Sequence, residues 1–219
     1  MDTLYLHEAM KAPDKREFIK AMEKEIEDQL ENGNFVYCRR SDVPKEAQVI
    51  PGVWAFRRKR RIQTQEVYKH KARWNVDGSR QIKGVSYWET YSPTASWSFI
   101  RLVLSVSIAK GWYSKRIDYV QAYPQAKAET DNLYLEIPKG FEVVGVRDPT
   151  EWVLHMRNNG YGGKAAGRVW NQHLVKRLTK IGFRQSDHDE CLLTALYIVY
   201  TDDPLLVKRK VENPRISTL

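Results

Sequence analysis

Three carboxylates follow segments that the sequence predicts to be strands. Asp118 comes after the predicted strand 112–117, and Asp202 and Asp203 come after the apolar strand predicted over 192–200. Adjacent carboxylates repel one another, and partial burial raises that cost unless a cation neutralises them. Mg²⁺ prefers oxygen ligands, and three converging carboxylates can hold two such ions about 3.5–4 Å apart for in-line phosphoryl transfer. The alternative is that Asp202 and Asp203 form an ordinary hairpin turn, in which aspartate is favoured.

A basic stretch over residues 57–83 is the second feature that could bind a ligand. The stretch contains two acidic residues, Glu66 and Asp77, and ten basic ones: Arg57, Arg58, Lys59, Arg60, Arg61, Lys69, Lys71, Arg73, Arg80 and Lys83. Within or beside this stretch lie the aromatic residues Trp54, Phe56, Tyr68 and Trp74. Cations neutralise phosphates and flat rings stack on bases, so the composition predicts a nucleic-acid groove. The alternative is a strand pair whose basic side chains face solvent.

The overall composition narrows the class of protein. The chain has 219 residues with a formal net charge of +9, and 42% of its residues are hydrophobic, which is typical of a globular protein. Its apolar runs are too short to cross a bilayer, and its N-terminus lacks the features of a signal peptide. We therefore expect an intracellular protein, cytoplasmic or nuclear, without a membrane partner. Cys38 and Cys191 are too few and too far apart for a disulfide framework or a zinc site.

Helices and short strands must position these residues. Helices are predicted from Asp14 to about residue 30, over 97–110 and over 167–180, and the second is apolar around most of its circumference, which predicts that it is largely buried. Strands are predicted over 112–117, 133–137 and 192–200, and shorter strand-like pieces between 35 and 61. This mixed order predicts an α+β fold.

A series of motifs occurs in order and at consistent spacing between residues 9 and 203. The motifs are Val53-Trp54-Ala55-Phe56, His70-Lys71-Ala72-Arg73, residues 84–93, Ile117-Asp118-Tyr119, Ala122-Tyr123-Pro124-Gln125-Ala126, residues 133–141, Tyr161-Gly162 with Lys164, Gly167-Arg168-Val169-Trp170, residues 188–191 and Tyr200-Thr201-Asp202-Asp203. Together they resemble the reverse transcriptase of copia-type LTR retrotransposons. The resemblance implies an RNA-directed DNA polymerase with a right-hand architecture. Fingers are expected over 1–93, a palm core over 94–203 with a fingers return at about 125–160, and a divergent tail over 204–219. The palm sheet is expected to be antiparallel and backed by helices.

The resemblance also implies roles for individual residues. The implied catalytic residues and ligands of two Mg²⁺ ions are Asp118, Asp202 and Asp203, and the implied nucleotide-binding residues are Lys71, Arg73 and Tyr123. Lys71 and Arg73 match the basic fingers strand that holds the triphosphate, and Tyr123 matches an aromatic residue that excludes a ribose 2′-hydroxyl. Tyr161 and Trp170 are expected to be packing residues. The implied partners are an RNA or DNA template–primer and deoxynucleoside triphosphates.

The sequence departs from the family pattern at three positions. Ala165 replaces a glutamine that contacts the nucleotide in the family, and Trp74 replaces a smaller aliphatic residue. Pro204 follows Asp203 directly, and because proline donates no ladder hydrogen bond, the return strand is expected to pair only as an edge or for a few residues. No thumb segment is expected between Pro204 and Leu219. These features predict a truncated polymerase fragment that is weak or inactive and does not synthesise DNA processively.

Two other functions fit part of the sequence. One is a non-catalytic nucleic-acid-binding remnant of the same kind of element, which keeps the basic groove without turnover. The other is a small metal-dependent nuclease that uses the clustered carboxylates. The nuclease has less support, since no histidine lies close in sequence to either acidic motif as an obvious base.

Overall fold

The computed structural model describes residues 2–139, 141, 148–193, 197–198 and 205–208. The chain divides into two compact units, one formed by Met1–Thr90 with Tyr123–Val169 and the other by Tyr91–Ala122 with Trp170–Leu219. Both units contain helices and strands, with antiparallel sheets and one mixed sheet, so the predicted mixture of α and β structure is confirmed.

The helices and strands have the following bounds in chain order: β1 (Thr3–Leu4), α1 (Leu6–Ala9), α2 (Lys15–Glu31), β2 (Phe35–Arg39), β3 (Gln48–Ile50), β4 (Gly52–Arg60), β5 (Val67–Val76), α3 (Trp97–Ala109), β6 (Tyr113–Arg116), β7 (Leu133–Glu136), β8 (Trp152–Met156), α4 (Ala166–Lys180), β9 (Leu192–Leu193), β10 (Tyr197–Ile198) and β11 (Leu205–Lys208).

Two sheets form the first unit. One has the strand order β1-β4-β5 and is antiparallel, and its long hairpin β4–β5 holds most of the basic stretch. The other has the order β2-β8-β7-β3, in which β3 and β7 are parallel and the other pairs antiparallel. Side chains alternate between the two faces of a strand, and along β4 and β5 the buried side chains lie on one face of the hairpin.

Helix α2 covers the buried face of the hairpin. Its apolar residues at four-residue spacing, Phe18, Met22 and Ile26, are all buried, as the sequence pattern predicts. The Phe18 ring meets the Phe56 ring edge-on, with centroids 5.4 Å apart. Gly33, just beyond the helix, has φ +63°, a conformation that glycine adopts without the strain of a side chain.

Asp14 ties the start of α2 to the hairpin. It lies at the predicted N-cap position, but its carboxylate does not cap the helix. Instead it accepts hydrogen bonds from Arg58 Nε and Nη2, both at 2.7 Å, and lies 2.7 Å from His70 Nε2. The Arg58 hydrogen bonds, with a further contribution from His70, hold the pKa of the Asp14 carboxyl well below its usual range.

Replacing Asp14 with asparagine is expected to lower the free energy of unfolding at pH 7 by about 2 kcal/mol, since hydrogen bonds to charged groups contribute about that much. The folded-state pKa of Asp14 is depressed, so its stabilisation is fully present above the unfolded-state value of about 3.9 and is lost as the pH falls below it. Urea unfolding of both proteins between pH 7 and pH 3 measures the difference.

The matched control for that substitution is Asp28→Asn on the same helix. Asp28 forms an exposed i, i+4 ion pair with Lys24 at 3.2 Å, so its loss should change stability by only about 0.5 kcal/mol. Equal effects of the two substitutions, or an Asp14 effect that does not decline toward pH 3, would contradict the role given to Asp14.

The second unit contains one antiparallel sheet with the strand order β6-β11-β10-β9. The prediction of a single strand over 192–200 is wrong, because Leu193 pairs with Tyr197 and the segment folds back on itself. After Pro204 the return strand β11 pairs for only a few residues, with β6 over Leu205–Lys208 and with β10 at Leu205 and Leu206, which is one of the two expected outcomes. It is not an edge strand, because it begins after the proline and keeps its own ladder donors.

Helix α3 is less buried than its composition predicts. Ser96 caps it by accepting a hydrogen bond from the Phe99 backbone N–H, as expected. However, its buried residues are Val103 and Ser107, whereas Leu102 and Ile108 keep 59% and 81% of their surface exposed. Within the described part of the chain, only one stripe of this helix packs against the cluster that includes Ala95 and Cys191.

Candidate nucleotide and nucleic-acid interface

Five basic side chains share the outward face of the β4–β5 hairpin, and we call this set the cationic face: Arg57, Lys59, Lys69, Lys71 and Arg73. The antiparallel register places Arg57 opposite Lys71 and Lys59 opposite Lys69. Directly opposite residues lie on the same face, and Arg73 follows Lys71 by the two-residue period of a strand. The first three are exposed, whereas Lys71 and Arg73 are partly buried.

The positive charges of this face act on one another. Partial burial lowers the pKa of the Lys71 amine, and the neighbouring charges of Arg73 and Lys59 lower it further. Glu25 of α2 opposes this effect, but burial raises the pKa of the Glu25 carboxyl, so its negative charge is itself disfavoured. An anion bound at this face would therefore relieve a repulsion that the protein does not compensate fully.

The aromatic residues of the basic stretch do not lie with the cations. Trp54, Phe56 and Trp74 are buried on the opposite face of the hairpin, with exposed fractions of 4%, 1% and 8%. The prediction that these rings stack on bases is therefore wrong, because strand alternation sends them into the core. Tyr68 is the exception, since it is exposed and has the Arg61 guanidinium 5.8 Å from its ring centroid.

Two tyrosines lie beside the inner end of the cationic face. The Arg73 guanidinium carbon is 4.7 Å from the ring centroid of Tyr161. The Tyr161 ring meets the Tyr123 ring edge-on, with centroids 5.1 Å apart and an interplanar angle of 74°. The structure thus places Arg73 and Tyr123, for which the resemblance implies nucleotide binding, against the ring of Tyr161, which was expected to be a packing residue. A tyrosine in a glycine-rich segment, Gly160-Tyr161-Gly162-Gly163, was the signal available.

Ala165 is a buried residue. Its side chain is 7% exposed and lines a small cavity of about 30 Å³ together with Gln81, Glu129 and Asn159. The position that differs from the family pattern is therefore an interior one in this chain.

Asp118 lies in the second unit, after β6. Its side chain is exposed, and among the described residues it has no hydrogen-bond or ion-pair partner. Asp202 and Asp203 lie outside the described residues. β11 begins two residues after Asp203 in the sequence, and its first residue, Leu205, pairs with Arg116, two residues before Asp118. In the described ranges no group of three His, Cys, Asp or Glu side chains forms a metal site.

A cationic strand pair bordered by two tyrosines offers positive charge and N–H donors that can bind phosphate-bearing ligands. Comparison with known families gives the particular class. The family described as reverse transcriptase (RNA-dependent DNA polymerase) matches residues 36–214, and this chain belongs to it.

The curated relatives are retrovirus-related Pol polyproteins of plant transposons. The chain is 27% identical over 210 residues to the polyprotein of transposon TNT 1-94 from Nicotiana tabacum, covering 92% of this chain and 15% of that protein. It is 30% and 31% identical to the polyproteins of transposons RE2 and RE1 from Arabidopsis thaliana, each covering 85% of this chain and 13% of the relative. The resemblance to copia-type elements is therefore confirmed, and the chain spans about one seventh of the length of these relatives. No described helix is both long and apolar enough to cross a membrane.

Proposed function

We propose that this chain forms the nucleotide- and template-binding part of an RNA-directed DNA polymerase. In that reaction the 3′-hydroxyl of a primer attacks the α-phosphate of a deoxynucleoside triphosphate, the bond to the β-phosphate breaks, and pyrophosphate leaves. The observation that carries the proposal is the cationic face, which ends at Arg73 beside Tyr161 and Tyr123, in a chain that belongs to the reverse transcriptase family.

The residues of the first unit would bind and orient the nucleotide. Lys71 and Arg73 would pair with the triphosphate, and Arg73 can present two N–H groups to one phosphate. Tyr123 would lie next to the sugar and exclude a ribose 2′-hydroxyl. Arg57, Lys59 and Lys69 continue the same face and would neutralise backbone phosphates of the template–primer. With these roles, the first unit would correspond to the fingers of the polymerase and the second unit to the palm.

The carboxylates of the second unit would hold two Mg²⁺ ions. Asp118 fits such a role, since it is an exposed oxygen donor that no described cation neutralises. Asp202 and Asp203 would complete the set by their place in the sequence. Bound Mg²⁺ supplies a Lewis acid that favours the ionised 3′-hydroxyl and neutralises the leaving phosphates.

A non-catalytic nucleic-acid-binding remnant is the second candidate. The same cationic face favours it, because that surface attracts polyanions whether or not chemistry follows. The two proposals agree on template–primer binding and differ on nucleotide addition, so one pair of measurements tests both.

Template–primer binding by the 219-residue chain is expected to weaken steeply with salt. If about four of the five cations contact phosphates, a plot of log K against log salt concentration should have a slope of about −3 to −4. Fluorescence anisotropy of a labelled RNA–DNA hybrid measures the slope, and addition of one labelled deoxynucleotide with Mg²⁺ is followed in the same samples. Salt-independent affinity would refute both proposals, whereas salt-dependent binding without addition would favour the remnant.

A further inference from the structure

Tyr161 contacts both residues on which the proposed nucleotide site depends. Its ring lies 4.7 Å from the Arg73 guanidinium carbon and 5.1 Å from the centroid of the Tyr123 ring. Arg73 lies on β5 and Tyr123 in the short helical turn Tyr123–Gln125, so the two belong to different segments. A single side chain thus spans the phosphate-binding end and the sugar-binding end of the proposed pocket.

The backbone around Tyr161 is fixed to the strand that bears Arg73. The Tyr161 carbonyl accepts a hydrogen bond from the Val76 N–H at 2.8 Å, which extends the edge of β5 into this loop. Gly162 has φ +84° and lies so close to the Val76 carbonyl that a Cβ atom would overlap it. Gly78 packs equally tightly against the Gly162 carbonyl. These approaches leave the segment little freedom to shift along β5.

A buried glutamine secures the far side of the same loop. The Gln81 Oε1 accepts a hydrogen bond from the Lys164 N–H at 2.7 Å, and its Nε2 donates to the Ser86 carbonyl at 3.1 Å. Gln81 is only 7% exposed; its hydrogen bond to Ser86 is buried and the one from Lys164 is partly buried. The Tyr161 ring is therefore presented from a backbone that is anchored at both ends.

Charges of both signs act on Arg73, since Glu25 of α2 attracts it and the other cations of its face repel it. Arg73 shares the cationic face with Lys71, and the like charges of that face repel one another. An arginine has many rotamers, and repulsion favours those that carry the guanidinium away from the face. The electron-rich face of a tyrosine attracts a guanidinium and so opposes this displacement.

We propose that Tyr161 is a positioning residue for the nucleotide, which holds the Arg73 guanidinium and buttresses the Tyr123 ring, so that phosphate binding and sugar selection are set by one side chain. This inference rests on the proposed polymerase function. It predicts that loss of the Tyr161 ring impairs two properties together, the affinity for a triphosphate and the preference for deoxyribose over ribose.

The test compares Tyr161→Leu with Tyr161→Phe, which retains the ring. With template–primer present, Tyr161→Leu should weaken deoxynucleoside triphosphate binding about tenfold, as expected for a lost cation–π contact and a less ordered arginine, and should reduce the ratio of deoxy- to ribonucleotide affinity. Tyr161→Phe should bind like the parent chain. Tyr87→Leu is the matched control, since Tyr87 makes the same kind of contact with a different cation, Lys164, whose Nζ lies 4.9 Å from its ring centroid.

A double substitution separates positioning from general structural damage. If Tyr161 acts through Arg73, then Arg73→Ala with Tyr161→Leu should lower triphosphate affinity no more than Arg73→Ala alone. The ¹⁵N–¹H signal of Arg73 Nε gives a readout that needs no ligand. It should carry a ring-current shift in the parent chain and in Tyr161→Phe, and lose that shift in Tyr161→Leu.

The outcomes distinguish the positioning role of Tyr161 from the proposed polymerase function of the chain. Full triphosphate affinity and sugar preference in a folded Tyr161→Leu variant would overturn the positioning role and leave the proposed function intact. Additive effects in the double substitution, or an unchanged Arg73 signal, would also overturn it. Failure of the parent chain to bind any triphosphate would refute the proposed function, and the nucleotide-positioning role of Tyr161 with it.

Discussion

Replacing Asp118 with asparagine is expected to slow nucleotide addition by about a thousandfold, the effect of losing roughly 4 kcal/mol of transition-state stabilisation at a metal site. An amide has the shape of a carboxylate but not its charge, so it cannot neutralise a bound dication equally well. Template–primer affinity should not fall, since Asp118 lies outside the cationic face and its loss makes the chain more positive. Single-nucleotide extension of a labelled primer on an RNA template measures the rate.

Asp187→Asn is the control for the charge change at Asp118. Asp187 lies in the same unit and pairs only loosely with Arg184, at 3.7 Å, and both side chains are largely exposed. It should leave the rate unchanged. Mn²⁺ binding, followed by the relaxation of water protons, gives a second measurement that does not require turnover and should be weakened only by Asp118→Asn. Equal rates, or equal Mn²⁺ binding, in the two variants would remove Asp118 from the site.

Removing Lys71 and Arg73 together is expected to weaken triphosphate binding about a hundredfold, since two charge-assisted contacts are lost. The matched control is Lys176→Ala with Lys180→Ala on α4, which removes the same charge from exposed positions of the second unit. If both pairs of substitutions weaken binding equally, net charge rather than the cationic face determines affinity. Isothermal titration with a deoxynucleoside triphosphate and template–primer measures the difference.

The pH dependence of that affinity tests Lys71 by itself. Burial and like charges lower the pKa of Lys71, so the ammonium form needed for phosphate binding is lost at a lower pH than for an ordinary lysine. As the pH rises through this range, triphosphate affinity of the parent chain should fall, whereas Lys71→Arg should retain it because arginine stays charged. Identical pH profiles would show that Lys71 does not contact the ligand.

Local patterns in the sequence predicted several elements correctly. The spacing of Phe18, Met22 and Ile26 predicted both α2 and its buried side, because a helix has a fixed period and one stripe of it must leave water. Ser96 predicted the start of α3, because its side chain accepts a hydrogen bond from the backbone N–H only three residues later. The ordered motifs predicted the reverse transcriptase family, which the comparison confirms.

Other predictions failed where the structure depends on which residues pack against a helix or pair with a strand. The composition of α3 predicted burial on most sides, but burial depends on what packs against each side, and composition does not specify that. The apolar segment 192–200 was predicted to be one strand, yet Leu193 pairs with Tyr197, since apolar runs do not encode where a chain reverses. The alternation of side chains along β4 and β5 does separate the cations from the core aromatic residues. The prediction that the aromatic rings bind bases rested on composition, which takes no account of this alternation.

The sequence by itself therefore determined the family, the helices with a clear period, and the concentration of positive charge between residues 57 and 83. Only the tertiary structure decided that five cations share one face, that Arg73 and Tyr123 both contact the Tyr161 ring, and that β11 is an inner strand. The physical reason is sequence separation. Arg73 and Tyr161 are brought together by a backbone hydrogen bond from Val76 and by close approaches that only glycine permits, and contacts between such distant residues have no period that a local pattern can reveal.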